Sequence, residues 1–399
     1  MLVFYMKNLD CNIEPALSFL PAADPSAYGL CPKRLRRVST VMQSYIDRGL
    51  TAGGITLVTR RNRIVHYECY GLADTAKKKP MTKDTLFRLY SMSKPVTAVA
   101  VLMLYEETAF FLDEPVKKFL PEFSGLKVKQ LKPDGSFILV PPHREVTIHD
   151  LLTHTGGLTY EGFDEAEERG MNLKKFVKHI CRLPLTSHPG EKWQYSVSND
   201  ILGRLVEVVS GQTFDKFLEK RLFGPLGMKD TGFFVPKEKQ ARLAALYTHD
   251  KKGRLIKRKT EDRNYLRKPV LFSGGAGLVS TAADYLRFSQ MLLNNGMFNG
   301  ARILGRKTVE LMRADHLPPV LPCIEPYKFG YGLGVSVLRS VSEKQGIGSV
   351  GEFGWGGAAS TEVWIDPLEE MVTLVMMQLI GPRYGLTKQI KDAVYQAIV

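Results

Sequence analysis

The sequence has no Gly-x-Ser-x-Gly element, which counts against an α/β-hydrolase built on a Ser-His-Asp triad. Its histidines, His66, His143, His149, His154, His179, His188, His249 and His316, form no His-x-x-x-His pair, and no zinc-ligand spacing is present. Metal catalysis is therefore not expected, and the reading requires no cofactor. Cysteine is scarce: Cys11, Cys31, Cys69, Cys181 and Cys323 are an odd, scattered set without any Cys-x-x-Cys. Such a set points to thiols in a reducing compartment rather than to a disulfide framework. No apolar run approaches membrane length. The stretch Met1 to Lys7 lacks the basic n-region and apolar length of a signal peptide, so a cytoplasmic enzyme without a membrane partner is the expectation. Internal repeats and low-complexity tracts are also missing.

What is present suits a globular enzyme. A chain of 399 residues, 44% hydrophobic and 24% charged, can bury a large core and is long enough for two lobes. The net charge of +14 could attract nucleic acid, yet the basic residues are scattered apart from Lys251 to Lys259, and no aromatic RNA-binding signature accompanies them. A solvated loop is the expectation there, with no nucleic-acid partner.

After an irregular start to about residue 32, Leu35, Val38, Met42, Tyr45 and Ile46 mark one face of a helix ending near Gly49. Gly54 to Thr59 and Ile64 to Tyr70 read as strands joined by Arg60-Arg61-Asn62-Arg63. A buried helix from 91 to about 107 opens a mostly helical, loop-rich middle, with Ile201 to Val209 stopping at Gly211 and Phe214 to Phe223 stopping at Gly224-Pro225. Residues 236 to 270 look like a surface excursion. Thr281 and Asp284 have capping-box spacing before an amphipathic helix. Strands return at Glu362 to Ile365 and Met371 to Leu379, and Leu386, Ile390, Val394 and Ile398 mark a last helix. The fold class expected is α/β in the α+β sense: an antiparallel sheet flanked by helices, with a mostly helical domain inserted. Segment 1–32 would be irregular, 33–90 with 271–399 a discontinuous α/β domain, and 91–270 the insertion.

Three stretches carry chemistry. Arg88-Leu89-Tyr90-Ser91-Met92-Ser93-Lys94-Pro95 precedes the run Val96 to Leu104, apolar on nearly every side of a helical period. Pro95 is tolerated only in a first turn, so the helix should begin at or just after Ser91, with Lys94 one turn away on the same face. Burial would lower the pKa of the amine and let it help remove the serine proton. The bland alternative is a capping serine and a surface lysine. Tyr195, on the loop before Ile201, could serve as a general base beside a cation, or merely pack. Around Trp355, the glycines of Phe353-Gly354-Trp355-Gly356-Gly357-Ala358 could let an edge strand present an amide to an oxyanion, or form a turn.

Together these stretches resemble the serine hydrolases of the penicillin-recognising fold, most closely the family VIII carboxylesterases related to class C β-lactamases. The resemblance runs over roughly residues 33 to 395 and includes Leu151 to Leu158, Leu222 to Met228 and Gly274 to Thr281. It implies Ser91 as nucleophile, Lys94 as its activating partner, Tyr195 as the base, and the amides of Ser91 and Ala358 as oxyanion hole, with Trp355, Gly356 and Gly357 lining the substrate site; His154 reads as structural. Val197 and Trp355 depart from the lactamase pattern, which has asparagine and a cation at these positions. An indole offers an apolar wall and one donor where an ammonium would attract a carboxylate, so neutral small-molecule esters of short to medium acyl chain are the expected substrates, with weak β-lactam hydrolysis possible. Loops near 160 to 170 and 236 to 270 are expected to shape the acyl pocket. A β-lactamase or DD-peptidase on the same scaffold and a non-catalytic scaffold or binding protein are the rival readings; oligomeric state is not legible.

Overall fold

The structure is a computed structural model, and it describes residues 19–258, 265–318, 321, 329–342 and 346–399. Cys11, Cys323, Met1 to Lys7 and most of the irregular start lie outside them; Cys31, Cys69 and Cys181 form no disulfide.

Helix α1 (Arg37–Asp47) buries Val38, Met42 and Tyr45, a stripe at helical spacing. Strand β1 (Gly53–Arg60) is buried along its whole length, and β2 (Arg63–Asp74) alternates more. Arg60 pairs directly with Arg63, so the turn is the two residues Arg61 and Asn62, with φ of +47° and +58°. Paired left-handed residues follow the right-handed twist of the strands they join.

A single 3-10 turn, Tyr90–Met92, precedes helix α2 (Ser93–Glu106), whose residues Ser93 through Leu104 are all buried. Pro95 falls in its first turn, where no amide proton is needed. The middle of the chain holds a β-hairpin that periodicity did not suggest, β3 (Val128–Leu131) with β4 (Phe137–Val140). Its signal was Pro133-Asp134-Gly135, with Gly135 at φ +82°.

Helix α3 (Ser198–Ser210) ends at Gly211 in the left-handed region. Helix α4 (Phe214–Leu218) does not stop at Gly224-Pro225 as expected. It widens into a π-turn, Glu219–Phe223, continues through Gly224–Leu226, and ends at Gly227. The wide turn accommodates Pro225, which has no proton for a regular helical bond. Tyr247, in the supposed surface excursion, is buried, and its backbone bonds Gln378 and Ile380.

Helix α5 (Ala282–Leu293) is capped by Thr281 Oγ1, which accepts from the Asp284 amide at 3.2 Å. The reciprocal arm is replaced by another contact: the Asp284 carboxylate accepts from the Asp230 amide at 2.7 Å. Strands β5 (Phe353–Gly356), β6 (Glu362–Asp366) and β7 (Met371–Met376) and helix α6 (Leu386–Tyr395) complete the chain. Strand β7 is shorter than the apolar run to Leu379, because beyond it the backbone takes other partners: the Gln378 carbonyl accepts from the Tyr247 amide, and the Leu379 amide donates to the Ala359 carbonyl. Beyond α6, Ile398 bridges to Leu30.

The eight-stranded antiparallel sheet runs Gly330–Tyr331, Ser336–Val337, β5, β6, β7, β1, β2, Lys79–Pro80. Strands from the two ends of the chain thus lie side by side, with Leu57 opposite Leu374. Between them in sequence comes the segment that carries α2, α3 and α4. Helices α1 and α6 share one apolar cluster with β1 and β7, and α2, α3 and α5 belong to the larger core.

Candidate active site

Ser91 lies in the turn leading into α2, and the residue before it, Tyr90, is held at φ +47°. A non-glycine residue in that region is strained, and surrounding contacts must hold it there. Lys94 is fully buried one turn on. Its Nζ donates to Ser91 Oγ at 3.2 Å, to Tyr160 Oη at 3.0 Å and to the Gly275 carbonyl at 2.8 Å. The ammonium also lies 4.5 Å from the centroid of the Tyr195 ring. The serine and lysine are therefore in contact rather than on separate surfaces.

The charge of Lys94 departs from expectation. Burial pushes the amine down, but the opposing phenolic oxygens of Tyr195 and Tyr160 outweigh it and hold the group above its ordinary value. Lys94 is thus an ammonium at neutral pH with its three protons directed at three oxygens. In that state it is a donor to Ser91 Oγ. Tyr160, which the sequence reading did not single out, is pushed by its burial up to about 12 against the pull of Lys94. It follows Leu158 of the Leu151 to Leu158 stretch by two residues, and that proximity was its only signal.

The Gly274 to Thr281 stretch supplies the carbonyl that fixes Lys94. Asp200 Oδ1 accepts from Ser273 Oγ at 2.5 Å and from the Gly275 amide at 3.2 Å, while Thr97 Oγ1 donates to the Gly274 carbonyl at 2.7 Å. A Cβ on Gly274 would lie 2.3 Å from the Asn199 carbonyl oxygen, so only glycine allows this approach.

Tyr195 is packed by aromatic rings. Trp193 stacks on it with centroids 5.9 Å apart, His154 lies at 5.0 Å and Trp355 at 5.6 Å. Trp355 Nε1 donates to Tyr195 Oη at 3.2 Å. The indole proton thus goes to the phenol, which the sequence could not show. His154 is fully buried; desolvation, then the charge of Lys94, hold it well below the ordinary imidazole range, so it is neutral. Its Nδ1 meets Ser196 Oγ at 3.1 Å, which fits a packing role.

On β5 and the turn after it, Gly356, Gly357 and Ala358 line a cavity of about 390 Å³ together with Ser91, Tyr195 and Trp355. A Cβ on Gly357 would lie 2.2 Å from the Leu89 carbonyl oxygen, so this glycine lets the strand close on the Ser91 turn; Gly356 has no such constraint. The Gly357 amide is taken by the Thr361 carbonyl at 2.7 Å. The Ala358 amide makes no backbone hydrogen bond among the described residues. The other walls come from Phe329, Ser336, Leu338, β6 and α6. Among the described residues, none of 160–170 or 236–270 lines the cavity, contrary to expectation; Tyr160 meets Lys94 Nζ through its Oη, and its ring lies 5.6 Å from that of Tyr195. The charged groups that reach the walls are paired: Glu352 with Lys391, and Glu362 with Arg383 at 3.4 Å.

His143, His188 and Glu191 bring three potential ligand atoms within 4.8 Å of one another. The His143 amide donates to His188 Nδ1 at 3.2 Å, and the two rings stack with 8° between their planes. Lone pairs in parallel planes do not converge on one ion, so this arrangement is not a ligand set.

Residues 38–394 match the Beta-lactamase family. The chain is 33% identical over 353 residues to Protein Rv1367c of Mycobacterium tuberculosis, covering 83% of this chain and 87% of the relative. It is 31% identical over 406 residues to Esterase EstB of Burkholderia gladioli, covering 93% and 98%. Among solved structures, "EstCE1, a hydrolase with promiscuous acyltransferase activity" superposes with a TM-score of 0.79 at 28% identity, covering 91% of this chain and 99% of that one.

Proposed function

This chain belongs to the beta-lactamase family, and from that premise we propose that it is a serine esterase that cleaves neutral carboxylic esters through a Ser91 acyl-enzyme. Tyr195, as a phenolate, takes the Ser91 proton as Oγ attacks the ester carbonyl, and the amides of Ser91 and Ala358 receive the oxyanion. Tyr195 returns the proton to the departing alcohol. Water, deprotonated by the same tyrosine, then releases the acid. Lys94 orients Ser91 and offsets the negative charge of the Tyr195 phenolate, which is present before the serine proton arrives and again once that proton has left with the alcohol.

The observation that carries the ester reading is the indole of Trp355 turned onto Tyr195 Oη in a cavity whose charged groups are paired. Among the described residues, the cations of its walls, Lys391 and Arg383, are each held by a carboxylate instead of standing free for that of a lactam or peptide. The similarity to EstB supports the same reading. A second outcome, transfer of the acyl group to an alcohol in place of water, is favoured by the similarity to EstCE1.

The test compares kcat/KM for a short-chain p-nitrophenyl ester and for a chromogenic cephalosporin, with Ser91→Ala beside the parent and an added alcohol to detect transesterification. A strong preference for the ester, with turnover lost in Ser91→Ala, is expected. Equal or better cephalosporin turnover would overturn the substrate reading, and ester hydrolysis surviving in Ser91→Ala would overturn the nucleophile.

A further inference from the structure

The hairpin of β3 and β4 belongs to no larger sheet. Its register pairs Lys129 with Leu139 and Leu131 with Phe137, which puts these four side chains on one face. On that face Leu131 is 70% exposed, Phe137 50% and Leu139 53%. The opposite face is anchored at its base, where Val128 is buried and Val140 packs against the core, while Ile138 toward the tip is 42% exposed. At its base, Lys129 N donates to the Leu185 carbonyl and Leu185 N to the Lys127 carbonyl, each at 2.8 Å. The next residue, Thr186, bonds Gly157, three positions before Tyr160. The apolar face therefore projects from a fixed base.

Lysines frame the face. Lys127, Lys129 and Lys132 stand within the hairpin and at its edges, with the Lys129 ammonium 4.5 Å from the Phe137 ring centroid, and Asp134 is the one acid between residues 127 and 140. We propose that this hairpin face is a docking surface for an anionic lipid interface, with Leu131, Phe137 and Leu139 entering the acyl boundary and the lysines meeting the headgroups.

Two physical points favour that occupant. Exposed aliphatic and aromatic side chains beside lysines match a surface whose hydrocarbon lies under negative charge. A second copy fits less well, because a two-fold contact would set Lys127, Lys129 and Lys132 against the same lysines of a chain that already carries +14. The proposal departs from the sequence-based expectation of no membrane partner, and it stands independently of the ester chemistry.

Flotation of the full chain with vesicles of phosphatidylcholine, with and without phosphatidylglycerol, tests it, using thermal unfolding as the control for folding. The parent is expected to float with the anionic vesicles at low salt and to be released by high salt. Changing Leu131, Phe137 and Leu139 together to Glu should weaken that partition at least about tenfold without moving the unfolding midpoint, and changing the three lysines to Gln should remove its salt dependence. Three results would overturn the proposal: no vesicle binding, binding that survives the apolar substitutions, or a parent dimer in sedimentation that those substitutions dissociate.

Discussion

Replacing Trp355 with Phe removes one proton donor and little else. The indole keeps ring contacts with Tyr195 at 5.6 Å and Tyr331 at 5.3 Å, and a phenyl ring can retain much of both. What it cannot replace is the 3.2 Å hydrogen bond from Nε1 to Tyr195 Oη. To take the serine proton Tyr195 must be a phenolate, and relative to the resting phenol that bond is then charge-assisted and contributes about 1.5 to 3 kcal/mol. At about 1.4 kcal/mol per decade, kcat/KM for a p-nitrophenyl ester should fall about 10- to 150-fold. The loss should appear in kcat more than in KM, because the donor faces the tyrosine. Initial rates over a range of ester concentrations, with thermal unfolding to exclude gross damage, measure this. A kcat/KM within about twofold of the parent would refute the argument that the indole proton serves the base.

Tyr160→Phe keeps the ring against Phe163, at 5.9 Å, but removes the oxygen that Lys94 reaches, so ester kcat/KM should fall about tenfold with an unchanged unfolding midpoint; an unchanged rate would show that Lys94 does not depend on that oxygen. Asp150 is buried and accepts from Arg144 at 2.5 and 2.8 Å, from the Thr147 amide at 2.9 Å and from Thr155 Oγ1 at 3.0 Å. Arg144 is 46% exposed and water can solvate it, so Asp150→Ala should cost about 1 to 3 kcal/mol in denaturant titrations, mainly from the unpaired Thr147 and Thr155 groups, and Asp150→Asn less. Burial pushes the Asp284 carboxyl up from 3.8 to about 6. The folded chain then holds a proton that the unfolded chain loses between those values, so this group makes stability fall as pH rises from about 4 to 6, by up to about 3 kcal/mol. Asp284→Asn should flatten that slope in unfolding measured across pH, and a slope unchanged by the substitution would count against the buried carboxyl as its source.

Local chemistry along the chain was enough for much of the fold. The apolar run after Ser91 marked a buried helix because burial on all sides needs no polar face, and Pro95 limited where that helix could start. The unbroken run at Met371 marked a central strand for the same reason. Where the local signals conflicted, tertiary contacts decided: Pro225 sits inside a helix because a π-turn absorbs it, and the hairpin at residues 128–140 follows its turn residues despite helical surroundings.

The sequence by itself determined that Ser91 and Lys94 lie one helical turn apart, that Tyr195 heads a loop before a helix, and that glycines surround Trp355, because each of these depends on short spacing. Only the tertiary structure decided that Lys94 also reaches Tyr160 and the Gly275 carbonyl, that the Trp355 proton is spent on Tyr195, and that Ala358 comes beside Ser91 in one cavity. It also reversed the expected direction of the shift at Lys94. Burial alone lowers an amine's affinity for its proton, but oxygens brought from residues 66 and 101 positions away raise it, and no spacing within the chain discloses that convergence.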